Sequence, residues 1–211
     1  MLVLYNRERS GNCYKARLML SLLGLEYEKV EIHREGKGRN QVPEGYDKLN
    51  PLRQIPALVA DGKPVWGTIA ILVYLARKHG GERWLPLDAE GEAEVTQWLS
   101  LAQNEIFYGL GRSRSMRGQR WHGTGTLEEA HAVAAIALRA LESRLGEHEW
   151  LALGRLTIAD VACYSYTVFA PEGGISLKPY PGVRAWLARI AGLPRYLPTP
   201  PYDGAGGPLV E

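Results

Sequence analysis

Cysteine is almost missing from this chain: Cys13 and Cys163 are the two among 211 residues. A pair so far apart excludes a disulfide framework, and the expected setting is a reducing cytoplasm. Long apolar runs are missing too. No stretch approaches the ~18 apolar residues of a membrane span, and the first residues show no basic segment followed by a long apolar run. Neither a span nor a secretory leader is expected. Charge of one sign is in short supply: 25 basic against 23 acidic side chains leave +2. That balance gives no reason to expect nucleic acid or an acidic membrane surface as a partner. His33, His79, His122, His131 and His148 stand at no metal-ligand spacing with carboxylates or cysteines, so no metal site is expected. Internal repeats and low-complexity tracts are lacking.

What is present is a hydrophobic fraction of 45%, enough for a packed core, on a length that suits one large domain or two small ones. Roughly the first 80 residues mix strand and helix patterns, and the rest is almost wholly helical. Leu2, Val3, Leu4 and Tyr5 predict a buried strand, and Leu18, Leu20, Leu22 and Leu23 a helix that stops at Gly24. Residues 27–33 alternate as a half-buried strand, 34–42 form a polar loop, and 44–49 suit a short helix. Asp61-Gly62 marks a hairpin between Ala57–Ala60 and Lys63–Trp66. Gly67-Thr68 opens a helix carrying Ile69, Leu72, Val73, Leu75 and Ala76 on its apolar side. The predicted domains are 1–80 and 88–200, with 81–87 as linker and 201–211 as tail. In the second domain a helix over 90–110 precedes a basic, glycine-containing loop or broken helix over 111–125. Thr126 caps a helix to Leu145, Thr157-Ile158-Ala159-Asp160 is a capping box with Asp in the usual Glu or Gln place, and 181–191 is the last helix. From Leu193 onward the prolines predict an extended, weakly ordered end.

Three junctions can carry chemistry. Ser10 stands just before the first helix, where bare N–H groups and the helix dipole favour negative charge. Its hydroxyl can cap the helix or donate to a bound anion such as a thiolate. Ser10-x-x-Cys13 has the spacing of a Cys-x-x-Cys motif with serine first, which cannot exchange disulfides but can hold a foreign thiolate. Asn12 is a second donor or a plain turn residue, and Cys13 reads as a small buried hydrophobe rather than a nucleophile. At Ile55-Pro56-Ala57 a proline entering a strand is compatible with a cis bond, which would let a peptide-like ligand pair with Ile55; an ordinary trans proline is the alternative. Arg53 and Gln54 can bind a carboxylate or be solvated. Gly67-Thr68, a bare helix start with a hydroxyl, suits an amino-acid carboxylate or is simply a cap. All three lie at strand or loop junctions, where α/β sheets place ligands.

The runs Ser10-Gly11-Asn12-Cys13-Tyr14-Lys15-Ala16-Arg17-Leu18, Asn50-Pro51-Leu52-Arg53-Gln54-Ile55-Pro56-Ala57-Leu58 and Thr68-Ile69-Ala70-Ile71-Leu72-Val73-Tyr74-Leu75-Ala76 together resemble the glutathione S-transferase family. Leu156-Thr157-Ile158-Ala159-Asp160 and the stretch from Pro179 to Trp186 extend the resemblance over nearly the whole chain. It implies an α/β thioredoxin-like N-terminal domain, an all-α C-terminal domain, glutathione as cosubstrate and a cytoplasmic homodimer active in detoxification. It makes Ser10, with Asn12, the holder of the glutathione thiolate. It places Ile55 before a cis Pro56 against the cysteine backbone, Gln54 and Arg53 near the glycine carboxylate, and Thr68 on the γ-glutamyl carboxylate. Gly67 departs from the family, which has Glu or Asp there to meet the γ-glutamyl ammonium. Arg112, Arg114, Arg117 and Arg120, with Phe107, Tyr108, Met116 and Trp121 beside them, fall where the family borders its electrophile site. Tyr108, Arg112 and Met116 are thereby candidate contacts for a flat or anionic second substrate; a solvated loop or dimer contact is the alternative. Tyr164, Tyr166 and Phe169 suit core or pocket lining. Two rival readings remain: a non-catalytic binding protein that keeps the fold, favoured by Gly67, and a thiol-disulfide reductase using Cys13.

Overall fold

The computed structural model describes residues 1–34, 40–120, 123–202 and 204. Strands β1 (Leu2–Asn6), β2 (Glu28–Glu31), β3 (Ala57–Ala60) and β4 (Lys63–Trp66) form one sheet in the order β2-β1-β3-β4. β2 runs parallel to β1, and β3 and β4 are antiparallel to their neighbours. Parallel pairing needs a crossover, which α1 (Gly11–Leu23) supplies, whereas β3 and β4 need only a turn. Asp61 and Gly62 make that turn with φ of 50° and 80°, the double left-handed geometry of a two-residue hairpin. Gly24, at φ 67°, ends α1 by donating to the carbonyls of Leu20 and Ser21. With α2 (Thr68–Leu75), which runs on into a π-helical turn over Ala76–Gly80, this is the thioredoxin-like unit that the family resemblance implies.

The remainder is helical: α3 (Ala89–Gln103), a π-helical turn (Ile106–Gly111), α4 (Arg112–Arg117), α5 (Leu127–Leu145), α6 (Ile158–Val168), a 3₁₀ turn (Ala170–Gly173) and α7 (Pro181–Ala191). α6 is the spine of this unit. Its start is the predicted capping box, and Asp160 there is fully buried. The carboxylate accepts from Thr157 N at 2.9 Å, Thr157 Oγ1 at 3.3 Å, Leu151 N at 3.2 Å and Trp186 Nε1 at 3.0 Å. Burial pushes Asp160 up to about 6, and the four donors oppose the rise. Along its length α6 packs on α1, where Ser165 Oγ donates to Gly11 O at 3.0 Å. The two units thus meet at the start of α1.

Several expectations are corrected. The strand expected over 27–33 is confined to Glu28–Glu31, and the helix over 44–49 is a short 3₁₀ turn, Tyr46–Lys48. The helix over 90–110 breaks at Asn104 (φ −98°, ψ −93°); of the two readings of 111–125, loop or broken helix, the six-residue α4 fits the broken helix. The stretch from Leu193 is not loose where it is described: Tyr14 Oη donates to Leu197 O at 2.5 Å, Ser21 Oγ donates to Arg195 O at 2.7 Å, and the hydroxyls of Tyr164 and Tyr196 meet at 2.8 Å. Proline removes donors, but these carbonyls and one phenol still tie the segment across α1. Residues 35–39 of the polar loop, Trp121 and His122, and the tail at 203 and 205–211 lie outside the described residues.

Candidate functional site

A groove of about 330 Å³ runs along the ends of β3 and β4 and the start of α2. The local sequence builds it. Asn50 is buried, and its side chain accepts from Leu52 N at 2.9 Å and donates to Gln54 O at 2.8 Å. Tyr46 Oη donates to the same carbonyl at 2.9 Å. These bonds fix the chain just ahead of a cis Ile55–Pro56 peptide. Ile55 lines the groove from two residues before the first pair of the β1–β3 ladder, Tyr5–Ala57. Beneath it Cys13, Ile32, Tyr46 and Ala57 form a separate small core. At the far end Gly67, with φ 85°, gives α2 no side-chain cap. The first N–H groups of α2 therefore stand beside the Thr68 hydroxyl as an anion site. A side chain other than glycine at that φ would be strained.

Ser10 caps α1 by accepting from Cys13 N at 3.3 Å. Capping and donating, posed as alternatives by the sequence, are compatible here. The cap uses an acceptor lone pair and leaves the hydroxyl proton to donate. Cys13 is fully buried, its sulfur accepts from Arg7 N at 3.4 Å, and burial pushes its thiol up, so it offers no accessible thiolate. Tyr166 lies against the helix start: a Cβ on Gly11 would come within 2.4 Å of its ring. Burial pushes the Tyr166 phenol up to about 12, while a hydrogen bond from Asn12 N–H works the other way. Behind that ring sits Lys15 Nζ, 5.0 Å from its centroid, fully buried, without a hydrogen-bond partner among the described residues and pushed down to about 8 by burial.

A second cavity of about 510 Å³ opens on the other side of Ser10, sharing Gln54 and Phe107 with the groove. Arg7, Arg9, Arg34, Arg114 and Arg120 all line it. Glu172 stands behind the wall, bonded to Arg114 Nε at 2.6 Å and to Arg9 at 3.0 Å.

Asn12, Gln54, Ile55, Pro56, Gly67, Thr68 and Tyr108 share the groove, and Ser10 faces the second cavity. Arg53 lines neither; it is exposed, at φ 52°, and pairs loosely with Asp47 at 3.9 Å. Arg112 and Met116 are also absent from both described linings. Arg112 turns away to Glu129 at 3.2 Å and Thr124 O at 3.0 Å, because α4 presents Arg114 and Ser115 to the cavity instead. The sequence reading did not single out Asn50, Trp66 and Gln103 of the groove, or Arg7, Arg9, Arg34 and Asn40 of the cavity. Each arrives from a segment with no local signal. Tyr166 lines the cavity, although its apolar spacing suits the core equally well.

Comparison with known proteins agrees with this geometry. The glutathione S-transferase N-terminal domain matches residues 1–77 and the C-terminal domain matches 125–194. A possible glutathione S-transferase from Rhodopseudomonas palustris is 34% identical, with a TM-score of 0.82 over 94% of this chain and 97% of that one. Maleylacetoacetate isomerase from Mus musculus is 28% identical over 184 residues, 86% of this chain and 83% of that protein. Disulfide-bond oxidoreductase YfcG from Escherichia coli is 30% identical over 198 residues, 87% of both. With both domain models matched in order over most of its length, this chain belongs to the glutathione S-transferase family.

Proposed function

We propose that this protein is a glutathione-dependent transferase in which Ser10 holds the glutathione sulfur as a thiolate. The observation that carries the reading is the Ser10 hydroxyl: it caps α1 through an acceptor lone pair and keeps its proton on the wall of the cavity that adjoins the groove at Gln54 and Phe107. Glutathione lies extended in the groove, its cysteine backbone against Ile55 and its γ-glutamyl carboxylate on Thr68 and the bare start of α2. Asn12 and Gln54 line its path. Gly67 supplies no acid for the ammonium, and the described groove lining holds no other carboxylate. Affinity then rests on the carboxylate and backbone contacts. Lowering the thiol's pKa by ~2 units requires about 2.7 kcal/mol of preference for the anion, within reach of one charge-assisted hydrogen bond plus a helix N-terminus. The thiolate attacks an electrophilic carbon: the S–C bond forms as the leaving group departs with its bonding pair. Positioning and thiolate stabilisation do the catalytic work.

The buried, proton-retaining Cys13 speaks against a reductase chemistry of this chain's own. The reading includes a cytoplasmic homodimer. Leu52 and Trp66, exposed by 61% and 44% at the groove's rim, offer an apolar face to a second copy. Calorimetry tests the core of the proposal: glutathione is expected to bind with a Kd below ~1 mM, and an absence of heat at millimolar glutathione would support a non-catalytic protein.

A further inference from the structure

Five guanidinium groups around one small cavity repel each other, and a bound anion relieves that repulsion. Arg7 and Arg9 enter from the β1–α1 connection, Arg34 from beyond β2, Arg114 from α4 and Arg120 from just after it. No carboxylate stands among the described residues that line the cavity. Arg114 is the best-defined member. Its side chain is only 5% exposed. Nε donates to Glu172, Nη1 donates to Arg9 O at 3.0 Å, and the guanidinium carbon lies 4.0 Å from the Phe169 ring centroid. Nη2 is buried and has no hydrogen-bond partner among the described residues. An orphaned donor on a buried cation is costly unless an acceptor arrives.

The geometry points to a carboxylate-bearing electrophile as the second substrate, its carboxylate accepting from the guanidiniums that line the cavity, Arg7, Arg34, Arg114 and Arg120, with its reactive carbon turned toward the sulfur at Ser10. This rests on the proposed role of Ser10. The contrast with the groove supports it: the described groove lining carries no charged side chain, so the cations are concentrated where the second substrate enters. Planar guanidinium forks suit carboxylates, and their number suits a substrate with more than one.

Two glutathione conjugates of nearly equal size test the assignment: S-(4-carboxybenzyl)glutathione and S-(4-carbamoylbenzyl)glutathione, titrated by calorimetry alongside plain glutathione. The carboxy conjugate is expected to bind at least tenfold tighter, with the advantage shrinking as salt is raised. Arg114→Gln is expected to bring the two conjugates within threefold of each other while glutathione's own Kd moves less than twofold. Arg114→Gln also loses a bond to Glu172, so Arg120→Gln at the cavity edge is measured in parallel and is expected to narrow the same ratio. Equal binding of the two conjugates by the wild type overturns the inference and leaves Ser10's role standing. Equal weakening of plain glutathione in the arginine variants also overturns it, by assigning these cations to the tripeptide's own carboxylates. Failure of the wild type to bind glutathione at all removes the proposed function and this inference with it.

Discussion

The groove and the cavity share a wall at Gln54 and Phe107 yet are made of different materials. The groove is largely backbone: a fixed turn at Asn50–Gln54, a cis peptide, and the uncapped start of α2. The cavity is largely side chain: arginines from separate segments, two of them anchored by one buried carboxylate. The difference teaches where specificity resides. Backbone groups recognise a peptide regardless of what it carries, whereas guanidiniums discriminate by charge.

The largest effect is expected at Ser10, on the wall of the cavity. Ser10→Ala is expected to lower kcat about 100-fold, on the scale of removing one oxyanion donor, with glutathione affinity within threefold of wild type. A comparable fall in affinity would make Ser10 part of the groove instead. Next comes the scaffold of the cavity side. Asp160→Asn replaces an acceptor of four hydrogen bonds with a group that cannot accept them all, and is expected to cost about 2–3 kcal/mol in urea unfolding. The pH dependence has a definite sign. The folded-state value, about 6, lies above the ordinary carboxyl value of 3.8. The wild type therefore loses stability as pH rises through that window, and its advantage over the variant should narrow from pH 4 to pH 7.

Two changes at the start of α2 sharpen the groove's half. Thr68→Val is expected to weaken glutathione about tenfold, worth ~1.4 kcal/mol, without moving the KM of the second substrate. Gly67→Glu supplies the acid that is lacking. A Cβ there has open space, its nearest neighbour being Ala70 Cβ at 4.0 Å, but φ is 85°. Glutathione should bind severalfold tighter while the Tm drops by a few degrees, reflecting ~1–2 kcal/mol of backbone strain. The smallest effect belongs to Cys13→Ala: conjugation rates within twofold of wild type, and no alkylation of native Cys13 at neutral pH on the timescale of assay. A collapse of activity would revive the reductase reading.

The same contrast explains what could be read from the chain. Asp61-Gly62, the uncapped Gly67-Thr68, Ile55-Pro56 and the Thr157–Asp160 box are local devices whose chemistry is complete within a few residues, so the groove was legible. The cavity was only partly so. Arg7, Arg9 and Arg34 converge through tertiary contacts that no spacing announces, and which face of α4 turns inward decided for Arg114 over Arg112. The π-helical turn at Ile106–Gly111 also shifts the phase of that face, so a regular 3.6-residue extrapolation from α3 misplaces it. Weak order was misjudged over 195–197 for a related reason: proline density signals a lack of regular structure, not a lack of contacts, and Tyr14, Ser21 and Tyr164 supply the contacts.

Everything chemical depends on whether the start of α1 favours an ionised sulfur. Ultraviolet titration of the thiol in the glutathione complex measures this directly. The account expects ionisation about 2 units below the ordinary thiol value of ~8.5, with Ser10→Ala restoring most of the difference. A bound thiol that ionises no more readily than in free solution would contradict it.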